Sequence, residues 1–131
     1  MKILVYLNFK MNEESLYLES VELLKELISI QSFSFHEENT ATLLENWLNK
    51  NSIPFKRHVN NIYCYNKYYN EEKPNILLNS HHDTVEPNDS YTNDPYEPIV
   101  DQGKLYGLGS NDAGASLSLI HISEPTRPSS I

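Results

Sequence analysis

The 131-residue chain is 39% hydrophobic and 21% charged, the balance of a globular protein with one buried core. A net charge of −8 argues against a nucleic-acid or anionic-membrane partner, since either calls for a basic patch. The single cysteine, Cys64, rules out an intrachain disulfide and is compatible with a cytoplasmic protein, and no apolar run reaches the length of a membrane span.

Residues 1–10 hold a short apolar run, Ile3-Leu-Val-Tyr-Leu7, with no small-residue cleavage site after it. They read as an edge strand or, preferably, as an upstream extension with Met11 as the start. Asn12 is placed to cap a helix, with Glu13 and Glu14 in the first turn where the helix dipole favours negative charge. Tyr17, Val21, Leu24, Leu27 and Ile28 recur at helical spacing, and Leu16, Leu18 and Leu23 widen the apolar face, so a helix is predicted from about Glu13 to Ile30. Ser34 and Glu37 have capping-box spacing ahead of a second stripe, Leu43, Leu44, Trp47 and Leu48, which predicts a helix from about Phe35 to Lys50. All these apolar residues read as core.

After Pro54, Phe55, Arg57 and Val59 alternate against Lys56 and His58, Asn60-Asn61 supplies a turn, and Ile62 to Lys67 reads as the return strand. The tyrosines here suit a strand and are not assigned to binding, and His58 reads as a surface residue. A buried strand is expected over Asn75 to Ser80, because Ile76-Leu-Leu78 is a continuous apolar run. It leads into His81-His-Asp83, ligand-type side chains where such a strand would leave the sheet. The proline-rich stretch from Glu86 to Pro98 is a loop, a second hairpin flanks Asp101-Gln-Gly103, and Ala115-Ser116 begins a further helix.

Gly107-Leu-Gly109 does not open a dinucleotide loop, because the third glycine position is Asp112. His81, Asp83 and Asp112 instead offer one imidazole and two carboxylates, ligand types suited to zinc or cobalt. The plain alternative for Asp112 is a helix cap.

Asn79-Ser-His-His-Asp-Thr-Val85, Asp94-Pro-Tyr-Glu-Pro98 and Gly103-Lys-Leu-Tyr-Gly-Leu-Gly-Ser-Asn-Asp112, in that order, closely resemble the acetylornithine deacetylase and succinyl-diaminopimelate desuccinylase family of dinuclear metal amidohydrolases. The resemblance covers about Met11 to Ser116. It implies an α/β fold, the N-terminal part of a zinc-peptidase-like three-layer α/β/α catalytic domain. It also implies two divalent metal ions, zinc with cobalt as the alternative. His81 would be a ligand of one metal, Asp112 would bridge both, and Asp83 would be a catalytic-site residue that orients the His81 ring. His82 falls on a variable position and is not expected to be a ligand. A cis peptide is implied at Asp112–Ala113. The substrate implied is a small N-acyl amino acid, N-acetylornithine of arginine biosynthesis being the first choice. A succinyl-diaminopimelate desuccinylase or dipeptidase-like member is the runner-up, and a non-catalytic metal-binding or interaction domain is the alternative of another class. A cytoplasmic homodimer is implied for the whole protein. Two departures weaken the substrate inference: Leu108 stands where the family commonly has arginine, and Ala113-Gly-Ala-Ser116 where it usually has methionine-lysine-glycine-glycine.

Leu117-Ser-Leu-Ile-His-Ile-Ser-Glu-Pro-Thr-Arg127 resembles the translation of a transposase-type sequencing-library adapter. Residues 11–116 are therefore expected to be the N-terminal part of the catalytic domain and 117–131 an artefactual tail, with His121 and Glu124 excluded from any site. The family's general-base glutamate and remaining ligands have no counterpart here, so the 131-residue chain is expected to be inactive by itself.

Overall fold

The computed structural model describes residues 13–66 and 68–122. The expected cap Asn12, residues 1–10, and Glu124 with the rest of 123–131 lie outside them. The first helix, α1 (Glu13–Ile28), ends two residues earlier than its apolar pattern suggests. Its buried stripe is Leu16, Ser20, Leu23, Leu24, Leu27 and Ile28. Tyr17 and Leu18, expected to face inward, are exposed, because the face that turns inward is the one shared by Leu16, Leu23 and Leu27. Ser20 is tolerated within this stripe because its hydroxyl donates to the Tyr17 carbonyl at 2.8 Å.

The second helix, α2 (Glu38–Lys50), starts three residues later than predicted, and the expected capping box does not form. The Glu37 carboxylate turns back to accept the Phe35 N–H at 2.6 Å and the Asn60 amide at 2.8 Å, and the Ser34 hydroxyl points elsewhere. These bonds hold the Glu37 carboxyl below its ordinary pKa, although its partial burial works the other way. Phe35 sits at φ 71°, where the chain reverses before α2.

Strands β1 (Phe55–His58) and β2 (Asn61–Cys64) pair antiparallel, with Phe55 opposite Cys64 and His58 opposite Asn61. The turn is Val59-Asn60, one residue earlier than Asn60-Asn61, and it leaves Val59 exposed rather than inward. Arg57 stabilises it by donating to the Val59 carbonyl at 2.5 Å and to Asn60 Oδ1 at 3.3 Å, while pairing with Glu45 of α2 at 2.7 Å. Strands β3 (Ile99–Asp101) and β4 (Lys104–Tyr106) form a second hairpin around Gln102-Gly103, as expected.

A wide turn, Ser110–Gly114, then leads into α3 (Ala115–Ile122). Leu117 joins the core with Leu23, Leu27 and Leu44, and Leu43, Trp47 and Ile62 pack around them. Helix α3 therefore crosses the expected boundary at residue 117.

The buried strand expected over Asn75 to Ser80 does not form. Among the described residues no strand pairs with it, and Ile76 and Leu77 are 89% and 86% exposed. A strand buried on both faces needs ladder partners and cover on each side, and neither lies beside this run. The chain is mixed α/β, with its described strands in two separate two-stranded antiparallel sheets. No described helix is long and apolar enough to cross a membrane.

Candidate metal centre

The site begins where the chain leaves Ser80. A single parallel bridge joins Phe33 to Thr84. The Thr84 N–H donates to the Ser32 carbonyl at 2.6 Å, and the buried Ser32 hydroxyl donates to the His82 carbonyl at 2.7 Å. Segment 32–34 thus runs beside segment 82–84 and holds it against the start of α2.

Within that clamp alternate side chains part company. His82 turns inward, with Nδ1 2.8 Å from the Thr40 hydroxyl and Nε2 3.0 Å from the Asn60 carbonyl. A carbonyl only accepts, so Nε2 carries the proton of that second bond. Both His82 ring nitrogens thus face the protein interior rather than Asp112. His81 and Asp83 turn the other way.

His81 Nδ1 lies 3.1 Å from Asp83 Oδ1 and 3.2 Å from the Asp83 carbonyl. Its Nε2 lies 3.0 Å from Asp112 Oδ1, brought from 31 residues away. The wide turn delivers Asp112. Gly109 opens it at φ 74°, in contact with Thr84, where a Cβ would come within 2.7 Å of the Thr84 methyl. Gly114 closes it by donating to the Gly109 carbonyl at 2.9 Å. The Ser80 hydroxyl donates to the Ala113 carbonyl at 3.3 Å, tying the turn to the opposite segment. The Asp112–Ala113 peptide is cis, as the resemblance implies. The three residues singled out in the sequence therefore converge.

The far oxygen of Asp83, Oδ2, accepts the Ser34 hydroxyl at 2.5 Å. Sequence reasoning missed this residue, because its spacing to Glu37 pointed to a cap. That hydrogen bond is the main reason the Asp83 carboxyl is held below its ordinary pKa, with partial burial opposing it and the His81 charge adding to it. For His81 burial pulls downward, but the bond to Asp112, the bond to the Asp83 carbonyl and the two nearby carboxylate charges together raise the imidazole above its ordinary value. Both carboxylates can only accept, so a doubly protonated ring satisfies both at once.

Leu108, at the position of the family's arginine, is buried, and its N–H donates to the Pro95 carbonyl at 2.7 Å. It brings no charge to the site. Beside His81 an open trough of about 520 Å³ is lined on one side by Leu44, Leu48, Ile62 and Leu117 and elsewhere by polar groups, among them Glu37 and Asn79. Among the described residues no group of three or more His, Cys, Asp or Glu side chains is placed to hold a metal ion.

No protein-family model matches the chain. It is similar to a protein named succinyl-diaminopimelate desuccinylase from a Nitratiruptor species, 28% identical over 97 residues, which are 72% of this chain and 26% of that protein. A protein of the same name from Wolbachia pipientis subsp. Culex pipiens (strain wPip) is 30% identical over 108 residues, 77% of this chain and 26% of that protein. Another, from Anaplasma marginale (strain Florida), is 36% identical over 59 residues, 45% of this chain and 15% of that protein. The chain spans about a quarter of the length of the first of these relatives. The name they carry is the runner-up of the sequence reading, and N-acetylornithine specificity finds no support in it. The chain is thus similar, over about a quarter of the length of the first of them, to proteins named succinyl-diaminopimelate desuccinylase, a name that the family its motifs resemble also carries.

Proposed function

We propose that this chain is the N-terminal part of a metal-dependent amidohydrolase that removes a succinyl group from an N-succinylated diamino acid. The observation that carries the reading is the convergence of His81, Asp83 and Asp112. An imidazole nitrogen and a carboxylate oxygen 3.0 Å apart are donor types that zinc accepts, and a carboxylate on the other ring nitrogen is the usual outer partner of a ligating histidine. These residues fit part of a coordination shell. His81 Nε2 and the Asp112 carboxylate would hold the metal, and Asp83 would keep the proton on Nδ1. When bound, divalent metals lower the pKa of a water and polarise the acyl carbonyl. None of these three residues is left free to act as the general base, which the family resemblance would place, with the other ligands, elsewhere in a three-layer α/β/α domain.

The succinyl group is favoured over acetyl by the relatives' shared name, and the reading as a deacetylase of arginine biosynthesis gives way to it. The test is turnover by a zinc-loaded protein of the relatives' length, on N-succinyl-diaminopimelate and N-acetylornithine in parallel. The succinyl substrate is expected to be preferred, and His81→Ala to lower kcat/KM more than about 100-fold. Preference for N-acetylornithine would restore the first choice. Zinc binding that depends on His81, with turnover of neither substrate, would favour a non-catalytic metal-binding domain. The 131-residue chain alone is expected to turn over neither.

A further inference from the structure

Residues 74–80, Pro-Asn-Ile-Leu-Leu-Asn-Ser, carry no charge in a chain of net charge −8. Ile76 and Leu77 are almost wholly exposed, and Leu78 is more than half exposed. No backbone hydrogen bond joins 75–80 to another described residue. Exposed apolar edges are normally blunted by a charge, a proline or a bulge, and here Lys73 and Pro74 only precede the run. The run also borders a slot. The trough beside His81 has Leu77 to Ser80 on one wall and β2 on the other, with Leu44 and Leu48 of α2 and Leu117 of α3 in its lining. Strand β1 contributes nothing to that lining, so the trough lies on the side of β2 away from its hairpin partner. An extended segment laid in this slot would have a strand edge on each side and apolar side chains beneath it.

We infer that a second copy of this chain fills the slot: residues 75–80 of two copies pair antiparallel about a two-fold axis at Leu77, each run entering the other copy's trough. The run is self-complementary in that register. Leu77 meets its own counterpart, Ile76 meets Leu78, and Asn75 meets Asn79. In extended backbone Ile76 and Leu78 fall on the side of Ser80, whose hydroxyl turns inward to the Ala113 carbonyl. Directly opposite residues share a face, so Ile76 and Leu78 of both copies form one apolar patch over the lining leucines, and the uncharged asparagines bracket it. A two-fold pairing occupies both slots at once and leaves neither run open to a third copy, so growth stops at the dimer. The inference is independent of the metal reading.

The experiment is sedimentation equilibrium of the full 131-residue chain over a wide range of concentration, with circular dichroism alongside. A monomer–dimer equilibrium without larger species is expected. Ile76→Thr keeps a strand-forming residue at a position outside the monomer's core, and is expected to weaken the dimer about tenfold with the fold retained. Cross-linking reads the register. In a Cys64→Ser background, Leu77→Cys is expected to give a disulfide-linked dimer on mild oxidation. Asn79→Cys is expected not to, because its two copies would lie about 14 Å apart along the paired strands. Equal cross-linking at the two positions overturns the inference, since it reports random collision or another register. Open-ended association overturns it too, because the pairing then does not close. So does a chain that stays monomeric throughout. If amides 75–80 of that monomer then become protected from exchange only in a protein of the relatives' length, the slot belongs to a strand of the longer chain instead.

Discussion

His81 is the residue on which pH acts most directly. Its pKa lies above the ordinary 6.5, since burial, which favours the neutral ring, is outweighed by Asp112 and Asp83. The stabilisation from its charged form is therefore complete below the unfolded value and is lost as pH rises through the raised one. A histidine titration of the metal-free chain should place the His81 midpoint above 6.5, and Asp112→Asn should lower it. Asp83 has the opposite sign. Its carboxyl is held low, chiefly by Ser34, so its contribution is present above the unfolded value and is lost as pH falls through the folded one. Under the proposed function, His81 Nε2 would have to give up its proton to hold a metal. Affinity should then fall as pH drops below the His81 midpoint, with proton release visible as a dependence of the calorimetric heat on buffer. The histidine and both aspartates were legible in the sequence because they lie in ordered motifs. Ser34 was not, because a hydrogen bond across 49 residues leaves no local spacing to read.

At the scale of elements, apolar periodicity served the helices well and served the strand badly. Leu48 and Leu44 were expected in the core and are there, with Leu48 fully buried. Leu48→Ala should cost about 2–5 kcal/mol in urea unfolding, the usual range for a leucine truncated inside a core. The wide turn makes a different demand. A Cβ on Gly114 would lie 2.7 Å from Leu24 Cδ1 and 2.8 Å from the Gly109 carbonyl oxygen, and the second of these is backbone that cannot swing aside. Gly114→Ala should therefore cost about 1–3 kcal/mol and should loosen Asp112, read as a shift of the His81 ring signals toward those of Asp112→Asn. Ile76-Leu-Leu78 misled because a continuous apolar run reports what a strand would bury in a complete sheet, not whether the sheet is beside it. The start of α2 misled because Glu37 found better partners in Phe35 and Asn60 than in a capping box.

Over the whole molecule, the core formed by α1, α2 and α3 is covered while the trough beside His81 and the Pro74–Ser80 segment stay open. An exposed apolar run beside a partly apolar trough invites association. Replacing Ile76 and Leu77 with threonine and serine should leave unfolding free energy within about 0.5 kcal/mol for each, because neither side chain is buried, while lowering dye binding and concentration-dependent association in light scattering. The Phe33–Thr84 bridge carries a further consequence, for the time course of folding. It joins positions 52 residues apart in the Ser32–Thr84 contact, and closing a loop of that length costs on the order of 3.5 kcal/mol of chain entropy. Helix α2 and the first hairpin lie inside that loop and form from contacts closer in sequence, so pulsed hydrogen exchange during refolding is expected to show them protected before the bridge shuts. The Thr84 amide, donated to Ser32, then reports on the opening of the bridge that holds segment 82–84 in place, and its hydrogen-exchange rate measures how often that segment comes away from segment 32–34.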